Sequence, residues 1–141
     1  MSKPELENLA RIGKLTAESP TAREFAGLVA SGQARLADAQ REVNSLPSRF
    51  DLVYNAAHAF ALAALRWHGY RSDNRYLVFQ SLPHTLGLEA PLWRVLAKAH
   101  EVRNLAEYEG HLEIGEQFLV DLIAAADAVK VAVLKLPPPK S

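Results

Sequence analysis

Six side chains able to do chemistry crowd into one short stretch, KAHEVRNLAEYEGH from Lys98 to His111: His100, Arg103, Asn104, Glu107, Tyr108 and His111. An arginine offers a planar fork of N–H donors that grips a phosphate. A histidine moves a proton near neutral pH. Asparagine and tyrosine present hydrogen-bonding groups of fixed shape, and a tyrosine ring can also stack on a base. A site made of these would take a phosphodiester or a nucleotide more readily than a neutral metabolite. Ordinary solvated faces carry mostly lysine and glutamate, whereas here Arg103, Asn104, Tyr108 and two histidines sit together as well. The plain alternative stands beside it: Arg103 and Glu107 are four apart and can pair on a helix surface, a contact worth only ~0.2–0.5 kcal/mol.

The elements that must carry these residues are helical. Stepping each residue of the Lys98–Glu109 helix by 100° puts Leu92, Val95, Ala99, Val102, Leu105 and Ala106 inward. His100, Arg103, Asn104, Glu107 and Tyr108 then share the opposite side. Pro91 suits the first turn of this helix and Gly110 its end. Upstream, a short helix is expected over Glu5–Leu15. A second runs from the capping-box pair Thr21 and Glu24 to about Val43, its stripe being Phe25, Leu28, Val29, Leu36 and Val43. Gly27 and Gly32 weaken it or let a neighbour approach closely.

Ser48 can cap a third helix, in which Phe50, Val53, Ala57, Phe60, Ala61, Ala64 and Leu65 recur at spacings of three and four. It closes at Gly69. A fourth, shorter helix spans Tyr76–Leu86, disturbed at Pro83, and a last one Gly115–Leu136. No segment alternates as a strand would. The fold class is therefore all-α, an antiparallel bundle of four main helices with one or two short extras. Its Ala-rich stripes, AAHAFALAAL and AAADAVKVAV, permit close approach of a neighbour, and one such face could serve a second subunit. The bundle forms one domain over residues 1–136, and the remainder, residues 137–141, is expected to be a disordered tail.

Several other constellations were weighed. Asp51, Asn55, His58 and Leu62 form a stripe apart from the core stripe of the third helix. His58 reads either as a hydrogen-bonded structural residue or, with Asn55, as the wall of a cleft facing the Arg103 helix. WHGYRSDNRY mixes Trp67, Tyr70, Tyr76, Arg71 and Arg75, a cluster that could stack on RNA bases or simply anchor a helix end. No HExxH or Glu-x-x-His pair appears, so neither a metal nor another cofactor is expected. GLVASGQ lacks the Lys and Ser or Thr of a phosphate loop, and no serine sits in an elbow.

Bulk properties narrow the classes further. At 141 residues the chain has material for one core. Sixteen basic side chains balance sixteen acidic ones, so contact with nucleic acid must come from a local patch. Absent cysteine removes disulfide frameworks and thiol chemistry and fits a reducing cytoplasm. AFALAALRW is far shorter than the ~20 residues of a membrane span. MSKPELENLARIGKL has no apolar core of a signal peptide. A cytoplasmic protein without membrane contact is the expectation.

HEVRNLAEYEG, set in an all-α chain of this length, resembles the HEPN superfamily (higher eukaryotes and prokaryotes nucleotide-binding), and most the small prokaryotic single-domain members. YNAAHAFALAALRWHGYRSDNRY and SLPHTLGL look like the next blocks of the same subgroup, so the likeness covers roughly residues 50–110. It implies a bundle that forms a homodimer, with the motif helices facing each other across a cleft. Many relatives are metal-independent ribonucleases of toxin–antitoxin or defence systems.

The family motif is an Arg, a polar residue that is often Asn, and a His after four to six intervening residues. Arg103 and Asn104 match its start. Tyr108 stands where the His would fall, and His111 lies beyond Gly110, outside the spacing. Cleavage beside a 2′-hydroxyl needs proton transfer, for which imidazole is suited and a phenol, ionising near ~10, is not.

Three outcomes stay open. Tyr108 acts as a hydrogen-bond donor in a weakened nuclease; His111 or His100 supplies the base; or catalysis is lost and an RNA- or nucleotide-binding dimer remains. The catalytic candidates are thus Arg103, Asn104, Tyr108 and His111, and the substrate-binding ones Asn55, His58, His100 and Glu107. The alternative is a non-catalytic interaction module paired with a nucleotidyltransferase-type partner, for which the Tyr108 hydroxyl would be open to modification.

Overall fold

A computed structural model describes residues 3–139, except for the Lys3 side chain. Helices take 71 % of the chain and strand 3 %, which fixes the class as all-α. Chain order runs α1 (Lys3–Arg11), β1 (Thr16–Ala17), α2 (Ala22–Ala39), α3 (Leu46–Trp67), β2 (Tyr70–Arg71), α4 (Arg75–Gln80), α5 (Leu82–Thr85), α6 (Ala90–Glu109) and α7 (Glu116–Leu134). Among the described residues, no helix is long and apolar enough to cross a membrane.

The middle of the molecule is α3. Alanine, phenylalanine and leucine lie all round it, a composition that suits a helix covered on most sides. Phe50, Val53, Tyr54, Ala56, Ala57, Phe60, Ala61, Ala63, Ala64 and Leu65 are accordingly buried. Its main neighbours are α2 and α7, with α4 and α6 closing another side. Small side chains let α2 come close. A Cβ on Gly32 would sit 2.6–2.8 Å from the Phe60 ring, so the expected close approach falls at Gly32, whereas Gly27 has nothing within 4 Å.

Several boundaries move from their expected places, each for a local reason. Helix α2 stops at Ala39 rather than near Val43, because Arg49 Nε reaches back from α3 to the Ala39 carbonyl at 2.7 Å. Val43 is left 82 % exposed. Ser45, not Ser48, opens α3: its Oγ accepts from the Ser48 backbone N–H at 3.3 Å, and Pro47 falls in the first turn. The segment expected as one helix disturbed at Pro83 is two, α4 and α5, parted at Ser81. The short pair β1 and β2, antiparallel with Thr16 opposite Arg71 and Ala17 opposite Tyr70, was not expected at all. Two residues per strand leave no alternation to read.

The capping box at α2 is half made. Thr21 Oγ1 accepts from the Glu24 backbone N–H at 3.1 Å. The Glu24 carboxylate does not turn back; it takes Arg66 Nε at 2.8 Å and Arg71. Arg66, 1 % exposed at the end of α3, also donates to the carbonyls of Glu18 and Ser19 at 2.8 Å and of Tyr70 at 3.3 Å. This clasp ties the start of α2 and the β1–β2 pair to α3. Of the expected tail, residues 137–139 are described: the Pro137 carbonyl accepts from Trp67 Nε1 at 2.7 Å, and Pro139 is buried. Lys140 and Ser141 lie outside the described residues, as do Met1 and Ser2 at the other end of the expected domain.

Candidate functional site

Tyr54, fully buried on α3, forms the floor of a cluster drawn from α3, α4 and α6. Its hydroxyl lies 3.0 Å from His100 Nδ1. One turn along α6, the Asn104 amide nitrogen lies 3.1 Å from His100 Nε2. An amide N–H can only donate, so Nε2 accepts, and Nδ1 carries the proton and gives it to the Tyr54 oxygen. Both nitrogens of His100 are therefore engaged.

Two guanidinium groups sit over the Tyr54 ring, Arg103 with its carbon 5.0 Å and Arg75 with its carbon 5.5 Å from the centroid. A cation over an aromatic face gains ~0.5–2 kcal/mol, the more so where water is excluded. Arg75 Nη1 donates to Asn55 Oδ1 at 2.9 Å, and Asn55 in turn donates to the Asp51 carbonyl at 2.8 Å. Arg103 Nη1 is 3.3 Å from Glu107, an ion pair open to solvent. His58 sets its ring edge-on to Phe79, centroids 6.0 Å apart, and has no hydrogen-bond partner among the described residues. The Tyr76 ring lies 5.8 Å from that of His100.

The charges are lopsided. Burial, then the positive charges of Arg75, His100 and Arg103, push the His58 pKa down to about 4. The His100 pKa is also lowered, by burial first and then by Arg103 and Arg75, with Glu101 opposing. Both imidazoles are thus neutral near pH 7 in a place where cations dominate. Bringing in an anion would relieve that imbalance.

Five of the candidates read from the sequence meet here: Asn55, His58, His100, Arg103 and Asn104. Glu107 stands at the rim through its ion pair with Arg103. Tyr108 does not join them; it is 91 % exposed and makes no hydrogen bond among the described residues. His111 does not join them either. Gly110 ends α6 in the left-handed region at φ 84°, which turns the chain away. His111 Nε2 then lies 3.1 Å from Glu113, whose hydrogen bond raises the imidazole pKa. His111 shares with Arg103, Glu107, Pro47 and Asp51 an open groove of about 410 Å³.

The inward–outward division of α6 needs correction. His100 and Arg103, expected on the outer side, are half-buried, while Leu105, expected inward, is 55 % exposed. The other residues expected inward, Leu92, Val95, Ala99, Val102 and Ala106, are covered. Arg103 is half-buried at the edge of that face, with its guanidinium over the Tyr54 ring. Tyr54 and Arg75 were missed as site residues. Their signals were present: Tyr54 stands beside Asn55, and Arg75 belongs to the basic–aromatic run. What joins them to Arg103 is the packing of α4 and α6 on α3, which the sequence does not spell out.

Among the described residues, no group of three or more His, Asp or Glu is gathered as a metal site would need. Compared with known protein families, curated proteins and solved structures, the chain matches none.

Proposed function

We propose that this chain is a HEPN-like protein of the cytoplasm that binds RNA or a nucleotide by its phosphate, acts as a homodimer, and has weak or no cleavage activity. The observation that carries the reading is Arg103, held half-buried over Tyr54 beside His100 and Asn104, with the exposed Glu107 as its one carboxylate partner among the described residues. A guanidinium held in place for one ligand binds phosphate at a lower entropic cost than a free surface arginine.

The weak-cleavage part rests on the proton carriers. Tyr108, at the position the family gives to histidine, points into solvent. His100 has both nitrogens occupied, and His111 is turned toward Glu113. No imidazole stands free beside Arg103 on its own helix. Without a proton acceptor at the attacking hydroxyl, cleavage loses roughly 10²–10⁴-fold.

Titrating the protein into a fluorescent oligoribonucleotide tests the binding. Replacing Arg103 with Ala should weaken it by roughly ten- to a hundredfold, the scale of a charge-assisted hydrogen bond. Binding that is unaltered in Arg103→Ala removes the reading. Mixed RNA incubated with protein in EDTA should stay largely intact, and rapid cleavage would show that an imidazole reaches the phosphate after all.

A second reading is favoured by one feature, the open Tyr108 hydroxyl. In an interaction module paired with a nucleotidyltransferase-type partner, that oxygen would give up its proton and attack the α-phosphorus of a nucleoside triphosphate held by the partner, releasing pyrophosphate. Intact-mass measurement of protein expressed with such a partner would then show an adduct that Tyr108→Phe abolishes.

A further inference from the structure

Resting on the phosphate-binding reading above, we infer that the group recognised is a phosphate monoester, gripped by Arg75 and Arg103 of one and the same protomer. Both guanidinium carbons stand over a single ring, at 5.5 and 5.0 Å from its centroid, so they are at most about 10.5 Å apart. One phosphate accepting N–H bonds from both, each spanning ~2.8 Å, would draw the two long side chains together. A second copy of the chain is not needed to supply the second guanidinium.

The donors are in place and mostly unspent. Each guanidinium carries five N–H groups. Among the described residues, Arg75 uses Nη1 on Asn55, and Arg103 uses Nη1 in the ion pair with Glu107. Nε and Nη2 of both keep their donors for a ligand. Asn55 is itself fixed by the Asp51 carbonyl, so Arg75 is held by a neutral partner that leaves its charge uncancelled.

Charge selects the monoester over a diester. Two cations face the site, and a monoester brings roughly −1.5 to −2 near pH 7 where a diester brings one negative charge.

The monoester could belong to a free nucleotide or to an RNA end. Titration calorimetry with four probes separates these: adenosine 5′-monophosphate, and one ten-nucleotide RNA with a 5′-phosphate, a 3′-phosphate or hydroxyl ends. At least one phosphorylated probe should bind roughly ten- to a hundredfold tighter than the hydroxyl-ended RNA, and Arg75→Gln should erase that margin. Arg75→Gln keeps a donor for Asn55, and its circular dichroism melt checks that the fold survives. Equal affinity for all RNA ends, or a margin that persists in Arg75→Gln, overturns the monoester site while leaving RNA binding intact. No binding by any probe overturns both the site and the reading it rests on.

Discussion

His58 is a histidine that the fold keeps from charging. In the unfolded chain it would titrate near the ordinary 6.5; in the folded protein burial and then the arginine charges hold it to about 4. As pH falls through that window, the unfolded state takes up the proton first, so stability drops between about 6.5 and about 4 and is unaffected above it. The full loss is on the order of 3 kcal/mol, from 1.36 kcal/mol per unit. Urea unfolding at pH 7 and at pH 4.5 should show the drop, and His58→Gln should flatten it. An equally steep profile in His58→Gln would place the pH sensitivity elsewhere, with His100 as the next group to test.

At the scale of elements, the Arg66 clasp and the α2–α3 contact decide whether the framework stands. Arg66 serves Glu24 and three backbone carbonyls at once from a buried position. Arg66→Ala should cost ~3–5 kcal/mol, because it strands partners already withdrawn from water. Arg66→Lys should recover little, since one ammonium lacks the fork that spans those acceptors. Glu24 makes the same point from the other side: burial alone would raise its pKa, yet hydrogen bonds and charge from Arg66 and Arg71 hold it below the usual carboxylate value. Two glycines of α2 offer a paired test by thermal melting. Gly32→Ala drives a methyl into the Phe60 ring and should cost ~1–3 kcal/mol. Gly27→Ala meets open space and should stabilise by ~0.5–1 kcal/mol through the better helix former.

For the molecule as a whole, the proposed homodimer would join copies through α6, where Leu105 and Tyr108 are exposed on the motif helix. Sedimentation should then give a dimer mass, and Leu105→Glu should yield monomers, because a buried carboxylate at such a contact costs several kcal/mol. A monomer at every concentration would remove the dimer from the proposal while leaving the one-protomer phosphate site in place.

The main helices, their order and some of their ends could be read from the chain itself. Pro91 and Gly110 bracket α6, Thr21 caps α2, and the all-round alanine of α3 announces a central helix. These signals act over a turn or two of backbone, so sequence spacing carries them. Tertiary packing decided the rest. It set the rotation of α6 that covers Arg103 and uncovers Leu105, placed Arg75 over the same ring from α4, and left Tyr108 and His111 outside the cluster. Which side of a helix is covered depends on what packs against it. A buried tyrosine can draw a cation into a half-covered position that hydrophobic patterning places on the outer side.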